Sequence, residues 1–249
     1  MVSVIEVYDS LLTLVRKDKR GLSLSPEEFN KIIESVNQQV YKLAYAEFEA
    51  TKTVIDRLDA FKVVGETISL TGGEGDLPSD YKHLVGNPYY DHATSGTRQI
   101  DLVTSSEHRS REMDYMTKGS LLYPTAFLKE GVSSDKAIAV TPNTITSIYI
   151  DYLRELTVPY LDYYVDDTTF QITYLEEDPA AQTIPSGVTL ADDTPGPVAN
   201  YVSLTKNFEW TEADRPQIIN LCLEAAGVQL PDQVLLEVSN KNEPKYERQ

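Results

Sequence analysis

Apolar residues recur at helical spacing near both ends of the chain. In residues 4–15 they lie three or four positions apart, which predicts a first helix. A second helix has a clear start, because Ser25 suits the N-cap, Pro26 suits the first turn and Glu28 can complete a capping box. The apolar stripe that follows predicts that this helix continues to about Asp59. That stripe consists of Phe29, Ile32, Ile33, Val36, Val40, Leu43 and Ala44.

Alternating apolar positions replace the helical pattern in the middle of the chain. Residues 71–76 are rich in glycine and predict a turn, and residues 176–197 predict a long acidic loop that contains prolines. Such loops are commonly binding surfaces or assembly arms. The alternation predicts strands over residues 61–70, 144–153, 169–175 and 198–204.

Helical spacing returns towards the C-terminus. Thr211 and Asp214 resemble a capping box, Pro216 lies in the first turn, and a further short helix is predicted over residues 232–240. The sequence therefore predicts an α+β protein, with terminal helices forming a helical bundle and a central β-rich body. The predicted regions are a helical region at 1–60, a β-rich body with long acidic loops at 61–210 and a helical region at 211–249.

The charge of the chain is large and unevenly distributed. The formal net charge of the 249 residues is −17, and residues 151–200 contain ten acidic residues and one base, Arg154. Because DNA binding requires cationic side chains to neutralise phosphates, the protein is not expected to bind the phosphates of nucleic acid. The acidity is expected either to aid solubility or to line a surface past which DNA slides. No apolar stretch matches the thickness of a bilayer, so no membrane association is predicted.

Known catalytic and metal-binding motifs find little support in the sequence. The single cysteine, Cys222, lies in an apolar run and is predicted to be an inert core thiol. His83, His92 and His108 are scattered and do not have the spacing of metal ligands. The glycines of residues 71–76 are not followed by the Lys-Ser/Thr of a phosphate loop. No enzymatic activity, cofactor or metal is therefore predicted.

Two pairs of consecutive acids leave alternatives open. Asp166–Asp167 and Asp192–Asp193 lie in the acidic region and could hold a divalent cation or act as the carboxylate pair of a hydrolase. Consecutive acids in loops are more often simply solvated. The chain also contains 16 tyrosines, whose apolar rings and polar hydroxyls suit protein interfaces as well as sheet packing.

Three segments together resemble one family of phage proteins. Residues 17–30, KDKRGLSLSPEEFN, followed by a long helix, are similar to the opening of small structural proteins of crAss-like phages. DLPSDY at 76–81, with Leu84, resembles a strand of podophage tail-tubular and head–tail adaptor proteins. The segment 145–164, with YLRELTVP, resembles a second strand of those proteins, and the helix after Trp210 resembles their closing helix. Residues 91–111 and 176–197 depart from the pattern.

The resemblance covers most of the chain and implies a virion structural protein without catalytic residues. It implies a homo-oligomeric ring of about twelve subunits at the head–tail interface, below the portal protein and in contact with other connector and tail proteins. Genomic DNA would pass through the channel without specific binding, and the ring would be assembled in the host cytoplasm. The alternatives are a tail-tube or other virion ring protein, a carboxylate-dependent hydrolase and a monomeric binding module.

Two sets of residues are predicted to serve this function. Asp166, Asp167, Asp192 and Asp193 are expected to face the lumen of the ring, where they would repel DNA. The long helix and the tyrosine cluster are expected to contact a neighbouring subunit. The predicted interface residues are Phe29, Ile33, Val40, Tyr163 and Tyr164.

Overall fold

The structure, a computed structural model, is that of an α+β protein, as the sequence predicted. It describes residues 1–17, 24–51, 56–94, 96–114, 116–130, 136–178 and 180–227. The predicted helix at 232–240 therefore lies outside the described residues. So does most of the segment between the first two helices. No helix in the described ranges combines the length and the apolarity that crossing a membrane requires.

The first two helices begin where the sequence predicted. Ser25 and Glu28 form the capping box, since the Glu28 amide donates to Ser25 Oγ at 3.2 Å and the Ser25 amide donates to Glu28 Oε2 at 2.9 Å. The predicted continuation to Asp59 was partly wrong, because Asp56–Phe61 is a 3₁₀ helix. Its buried Leu58 and Phe61 are three residues apart, which matches the three residues per turn of that helix. The α-helices are α1 Val4–Lys17, α2 Pro26–Thr51, α3 Ser105–Met113 and α4 Arg215–Ala225, and a second 3₁₀ helix is Glu212–Asp214.

Strands occupy the predicted β-rich region and also parts of the predicted loops. Of the four predicted strands, those at 61–70, 144–153 and 198–204 are present as Lys62–Ser69, Ser147–Arg154 and Val198–Tyr201. The predicted loop at 176–197 was wrong in part, because it contains the strands Gln182–Ile184 and Val188–Leu190. The strands are β1 Lys62–Ser69, β2 Glu74–Asp76, β3 Tyr81–Leu84, β4 Tyr89–His92, β5 Gly96–Gln99, β6 Asp101–Leu102, β7 Thr125–Lys129, β8 Ala137–Thr141, β9 Ser147–Arg154, β10 Tyr163–Asp166, β11 Ile172–Tyr174, β12 Gln182–Ile184, β13 Val188–Leu190 and β14 Val198–Tyr201.

The strand predicted at 169–175 is shorter than expected. Only Ile172–Tyr174 is extended, as β11, and Phe170 lies in the preceding turn with a positive φ of 55°. The Asp166 carboxylate forms this turn, because Oδ1 accepts from the amides of Thr168 and Thr169 at 2.9 and 2.6 Å. Phe170 consequently projects from the turn and is 76% exposed.

The chain divides into two compact units. Unit 1 consists of the described residues of 1–60 and 156–249, and unit 2 is formed by residues 61–155. The predicted β-rich region at 61–210 thus contributes strands to both units. The two segments of unit 1 are far apart in sequence, so their association depends on long-range contacts.

Unit 2 contains two sheets around one apolar core. One sheet has the order β1-β9-β4-β5, with β3 also paired to β9, and the other has the order β2-β8-β7-β6. Ile68, Ile138 and Ile148 bring side chains from both sheets into a common buried cluster. A Cβ on Gly75 would lie 2.7 Å from the carbonyl oxygen of Ser69, so glycine is required where β2 passes β1.

Unit 1 combines the terminal helices with two small sheets. Helix α4 packs on α1 and α2, β10 lies between β11 and β13, and β12 pairs with β14.

Helix α2 also binds an extended segment through two asparagines. The side chain of Asn30 exchanges two hydrogen bonds of 2.9 Å with the backbone of Leu161, and Asn37 Nδ2 donates to Thr157 O at 3.1 Å. Trp210 Nε1 donates to Asn37 Oδ1 at 2.7 Å.

A buried carboxylate joins the strands of unit 1. Asp162 is 1% exposed, and its Oδ2 accepts from the Tyr201 hydroxyl at 2.7 Å and from the Leu204 amide at 2.9 Å. Its Oδ1 accepts from the Tyr163 amide at 2.9 Å. The Asp162 amide donates to Thr205 Oγ1, whose hydroxyl donates to Leu175 O at 2.6 Å. Hydrogen bonds to an ionised carboxylate are stronger than neutral ones, so this network ties together segments that are distant in sequence.

Candidate functional site

The four acids predicted to face a channel lie at the β10–β13 pair of unit 1, and they divide into two kinds. Strand β10 is antiparallel to β13, with Val165 opposite Thr189. Asp167 and Asp193 line one cleft of about 440 Å³ beside this pair. Asp166 and Asp192 do not line it. The structure thus brings together one acid from each predicted pair and separates it from its neighbour.

Asp166 and Asp192 stabilise turns. Asp166 Oδ1 accepts the two amide hydrogen bonds of the β10–β11 turn, and Asp192 Oδ1 accepts from the Thr194 amide at 3.1 Å. The hydrogen bonds from the Thr169 amide, followed by that from Thr168, lower the pKa of Asp166 below its usual value. A general acid of a hydrolase needs a raised pKa, so the environment of Asp166 is the opposite of what that role requires.

The cleft that contains the other two acids has aromatic and apolar walls, and we call it the acidic cleft. It is lined by Glu27, Tyr163, Val165, Asp167, Phe170, Thr189, Leu190, Ala191 and Asp193. Tyr163, Val165 and Asp167 are two positions apart along the chain, as side chains on one face of a strand are. Asp167 Oδ1 accepts from the Thr189 hydroxyl at 2.8 Å, and Glu27 is paired with Lys31 at 2.6 Å. Asp167 and Asp193 form no ion pair with any residue that the structure describes.

The predicted interface residues have different surroundings. Phe29, Ile33 and Val40 are fully buried by their own chain, so these three side chains are not available to contact a neighbouring subunit as the sequence predicted. Tyr163 is half-buried in the wall of the acidic cleft, where burial and then the nearby carboxylates of Glu27 and Asp193 raise its pKa. Tyr164 packs against the buried cluster of the small sheets.

A second cavity, in unit 2, was not predicted from the sequence. It has a volume of about 590 Å³ and lies between α3 and the β7–β8 hairpin. His108 is buried in its wall, where its ring packs against Phe127 with a centroid distance of 4.5 Å and the ring planes tilted by 44°. Its Nε2 lies 3.0 Å from Thr141 Oγ1. The Thr141 hydroxyl donates to Glu112 Oε1 at 3.3 Å. Arg109 lines the same cavity.

The three polar groups at this cavity do not form a nucleophilic triad. In a triad the carboxylate contacts the imidazole and the imidazole accepts the hydroxyl proton. Here the carboxylate of Glu112 contacts the hydroxyl of Thr141, and a hydroxyl that donates to Glu112 must accept from His108 Nε2–H. The arrangement instead fastens α3 to β7 and β8, because His108 is the buried residue of this otherwise polar helix.

Comparisons with known proteins leave the chain without an assigned family. No protein-family model matches the sequence, and no curated protein is significantly similar to it. The structure also describes no group of three or more His, Cys, Asp or Glu residues arranged to hold a metal ion within its ranges. The function is therefore inferred from the surfaces of the two units.

Two signals in the sequence were informative but incomplete. The spacing of Tyr163, Val165 and Asp167 places them on one face of β10, and that alternation is visible in the sequence. Helix α3 was missed, although Thr104 is its N-cap and accepts from the Glu107 amide at 3.3 Å. Its residues are almost all polar, so no apolar periodicity indicated a helix.

Proposed function

We propose that this protein is a virion structural protein that forms one subunit of a ring in the head–tail connector of a tailed phage. The ring is an adaptor below the portal and surrounds the channel for the genome. The observation that supports this most directly is the charge of the segment 156–210, which has nine acidic residues and one base, Lys206. A channel lined by such a surface repels DNA phosphates and lets the duplex pass without adhering.

Four acids of this segment that lie outside the cleft suit a channel surface. Glu176, Asp178 and Asp192 are exposed, and together with Asp166 they form no ion pair with any described residue. Their charge is therefore not neutralised locally. Its effect on DNA extends over about one Debye length, roughly 8 Å at physiological salt, so it acts on a duplex that fills a narrow channel.

The first test is the mass of the purified protein by light scattering, alone and after addition of the portal protein of the same phage. The proposal predicts a species of about twelve times the 27.9 kDa chain, either alone or on the portal. A protein that remains monomeric at all concentrations and with portal present would overturn the adaptor proposal. Rings that form without binding portal would favour the alternative of a tail-tube or other virion ring.

The second test addresses the channel. The variant combines Asp166→Asn, Glu176→Gln, Asp178→Asn and Asp192→Asn. The amide oxygens of the asparagines still accept the turn hydrogen bonds that these aspartates accept. We expect rings to assemble and DNA ejection to slow, most clearly at low salt, because the repulsion that keeps DNA from adhering is lost and salt screens what remains.

A matched control changes the net charge equally at exposed acids elsewhere. It combines Glu34→Gln, Glu49→Gln, Asp59→Asn and Glu66→Gln. Ejection in the control is expected to equal that of the wild type. Equal ejection rates for the channel variant, the control and the wild type at low salt would refute the role of the acidic segment in the channel.

A further inference from the structure

The cavity of unit 2 between α3 and the β7–β8 hairpin has well-defined walls, and we call it the α3 cavity. Its volume of about 590 Å³ lies within the range of small-molecule sites, roughly 300–1,000 Å³. One wall, α3, is fastened to β8 because Thr141 contacts both His108 and Glu112. A second wall, the turn at Gly73, is fastened to β8 because the Val140 amide donates to Gly73 O at 2.7 Å. The cavity therefore needs little rearrangement before it can hold a ligand.

The charged side chains that line the α3 cavity have formal charges that sum to zero. They are Glu74, Arg109, Glu112 and Lys118. Glu74 is paired with Lys129 at 2.5 Å, whereas the other three form no ion pair with any residue that the structure describes. An ion of a single sign would meet like charge as well as opposite charge in this cavity, so the lining favours neither anions nor cations. It suits a ligand that carries both signs.

The negative side of the cavity has a second acceptor, which is His108. Thr141 Oγ1 accepts from Nε2–H, so the neutral imidazole has its lone pair on Nδ1. Nδ1 has no hydrogen bond to a described residue, yet solvent reaches it, although only 7% of the residue is exposed. An unused acceptor on an otherwise buried side chain indicates a donor from outside the chain. An ammonium group is a donor that the carboxylate of Glu112 also attracts.

The α3 cavity also has apolar walls. Phe127, Val140 and Pro142 line it together with the charged groups. A lining that combines apolar surface with a few polar groups is typical of sites that hold one small molecule in a fixed orientation. The ligand that fits best therefore has an apolar part as well as its two charges.

We propose that the α3 cavity binds a small zwitterion of about the size of a dipeptide, with an ammonium group, a carboxylate and an apolar side chain. The carboxylate binds Arg109 and Lys118, and the ammonium group binds Glu112 and His108 Nδ1. The apolar side chain contacts Phe127. Arg109 and Glu112 are three residues apart on α3, so they lie on the same helix face, where one molecule can bridge them. This site belongs to unit 2 and does not depend on the proposed ring function.

The first experiment uses the dipeptide Ala-Leu and two derivatives that each lack one charge. N-acetyl-Ala-Leu has no ammonium group, and Ala-Leu amide has no carboxylate. A ligand-observed NMR titration of the wild-type protein measures the dissociation constant of each compound. We expect Ala-Leu to bind and each derivative to bind at least about tenfold more weakly, because one charge-assisted contact is lost. The absence of Ala-Leu binding at millimolar concentrations, or equal binding of the three compounds, would overturn the proposal.

Two cavity variants locate the site. Glu112→Gln removes the negative charge but keeps an oxygen that can accept from the Thr141 hydroxyl. The double variant Arg109→Gln with Lys118→Gln removes the positive charges. Each variant is expected to weaken the binding of Ala-Leu about tenfold, since one end of the zwitterion loses its charged partner.

Matched controls make the same charge changes at exposed positions outside the α3 cavity. They are Glu66→Gln and the double variant Lys42→Gln with Lys206→Gln. The controls are expected to bind Ala-Leu as the wild type does, and circular dichroism confirms that every variant is folded. A folded cavity variant that binds Ala-Leu as tightly as its control would show that the zwitterion does not bind at these residues and would overturn the site.

Discussion

The carboxylate of Asp162 should determine much of the stability of unit 1. The change Asp162→Ala removes the acceptor of the Tyr201 hydroxyl and of the Leu204 and Tyr163 amides. Leaving a buried donor without a partner costs about 1–3 kcal/mol. All three hydrogen bonds are partly buried, so each donor partly regains water and its loss lies at the low end of that range.

With three donors, the expected destabilisation is about 3 kcal/mol, a substantial share of the stability of an ordinary domain. The single tryptophan makes the measurement specific, because Trp210 lies buried in unit 1. Urea unfolding followed by its fluorescence reports that unit separately from unit 2. The free energy of unfolding is obtained from the midpoint and the slope.

Two further variants make the result decisive. Asp192→Ala removes one exposed hydrogen bond to Thr194 and should cost less than about 1 kcal/mol. Asp162→Asn keeps an acceptor oxygen but loses the charge and should fall between the two, which preserves the test if the alanine variant does not fold. If Asp162→Ala and Asp192→Ala unfold at the same urea concentration, the network around Asp162 does not stabilise the unit as we argue.

Three other predictions concern single side chains. Burial, and then the hydrogen bond to Asp80, raises the pKa of Tyr152 from 10 to about 12. The unfolded state therefore loses this proton first, and the free energy of unfolding falls as the pH rises between those values. In Tyr152→Phe, unfolding followed by circular dichroism should show a smaller loss of stability over the same pH range. Burial raises the pKa of the Cys222 thiol to about 12, so a thiol reagent should react only after unfolding. Ser25→Ala should cost about 1 kcal/mol in urea unfolding, since α2 loses its cap, and no change would contradict that role.

The parts of the fold that the sequence predicted are those with local causes. The start of α2 depends on Ser25 and Glu28, three positions apart, and the apolar stripe of α1 depends on side chains within four turns. Such signals act within a single element, so no knowledge of its neighbours is needed. Strand β1 was predicted for the same reason, from its own alternation.

The assembly of unit 1 depends on partners that the sequence does not place. Asn30 and Asn37 lie seven positions apart on α2, on the side of the apolar stripe, and bind Leu161 and Thr157 across more than 100 residues. A polar residue within an apolar stripe signals a buried hydrogen bond. The partner, however, is a backbone group, and backbone groups are the same at every position, so the sequence cannot identify it.

The candidate site shows why paired acids cannot be interpreted as a unit. Asp166 is the last residue of β10 and Asp167 lies in the turn that follows, and their carboxylates accept from different groups, the amides of Thr168 and Thr169 in one case and the Thr189 hydroxyl in the other. The pair after β13 divides in the same way, although Asp193 follows with a positive φ of 64°.

One acid of each pair is used to close a turn, and the other lies in the acidic cleft with its charge available. If the protein forms the channel that we propose, Asp166 and Asp192 act on DNA together with Glu176 and Asp178. The variant that neutralises these four acids leaves the carboxylates of Asp167 and Asp193 unchanged. Slower ejection in that variant would therefore be due to acids that lie outside the acidic cleft.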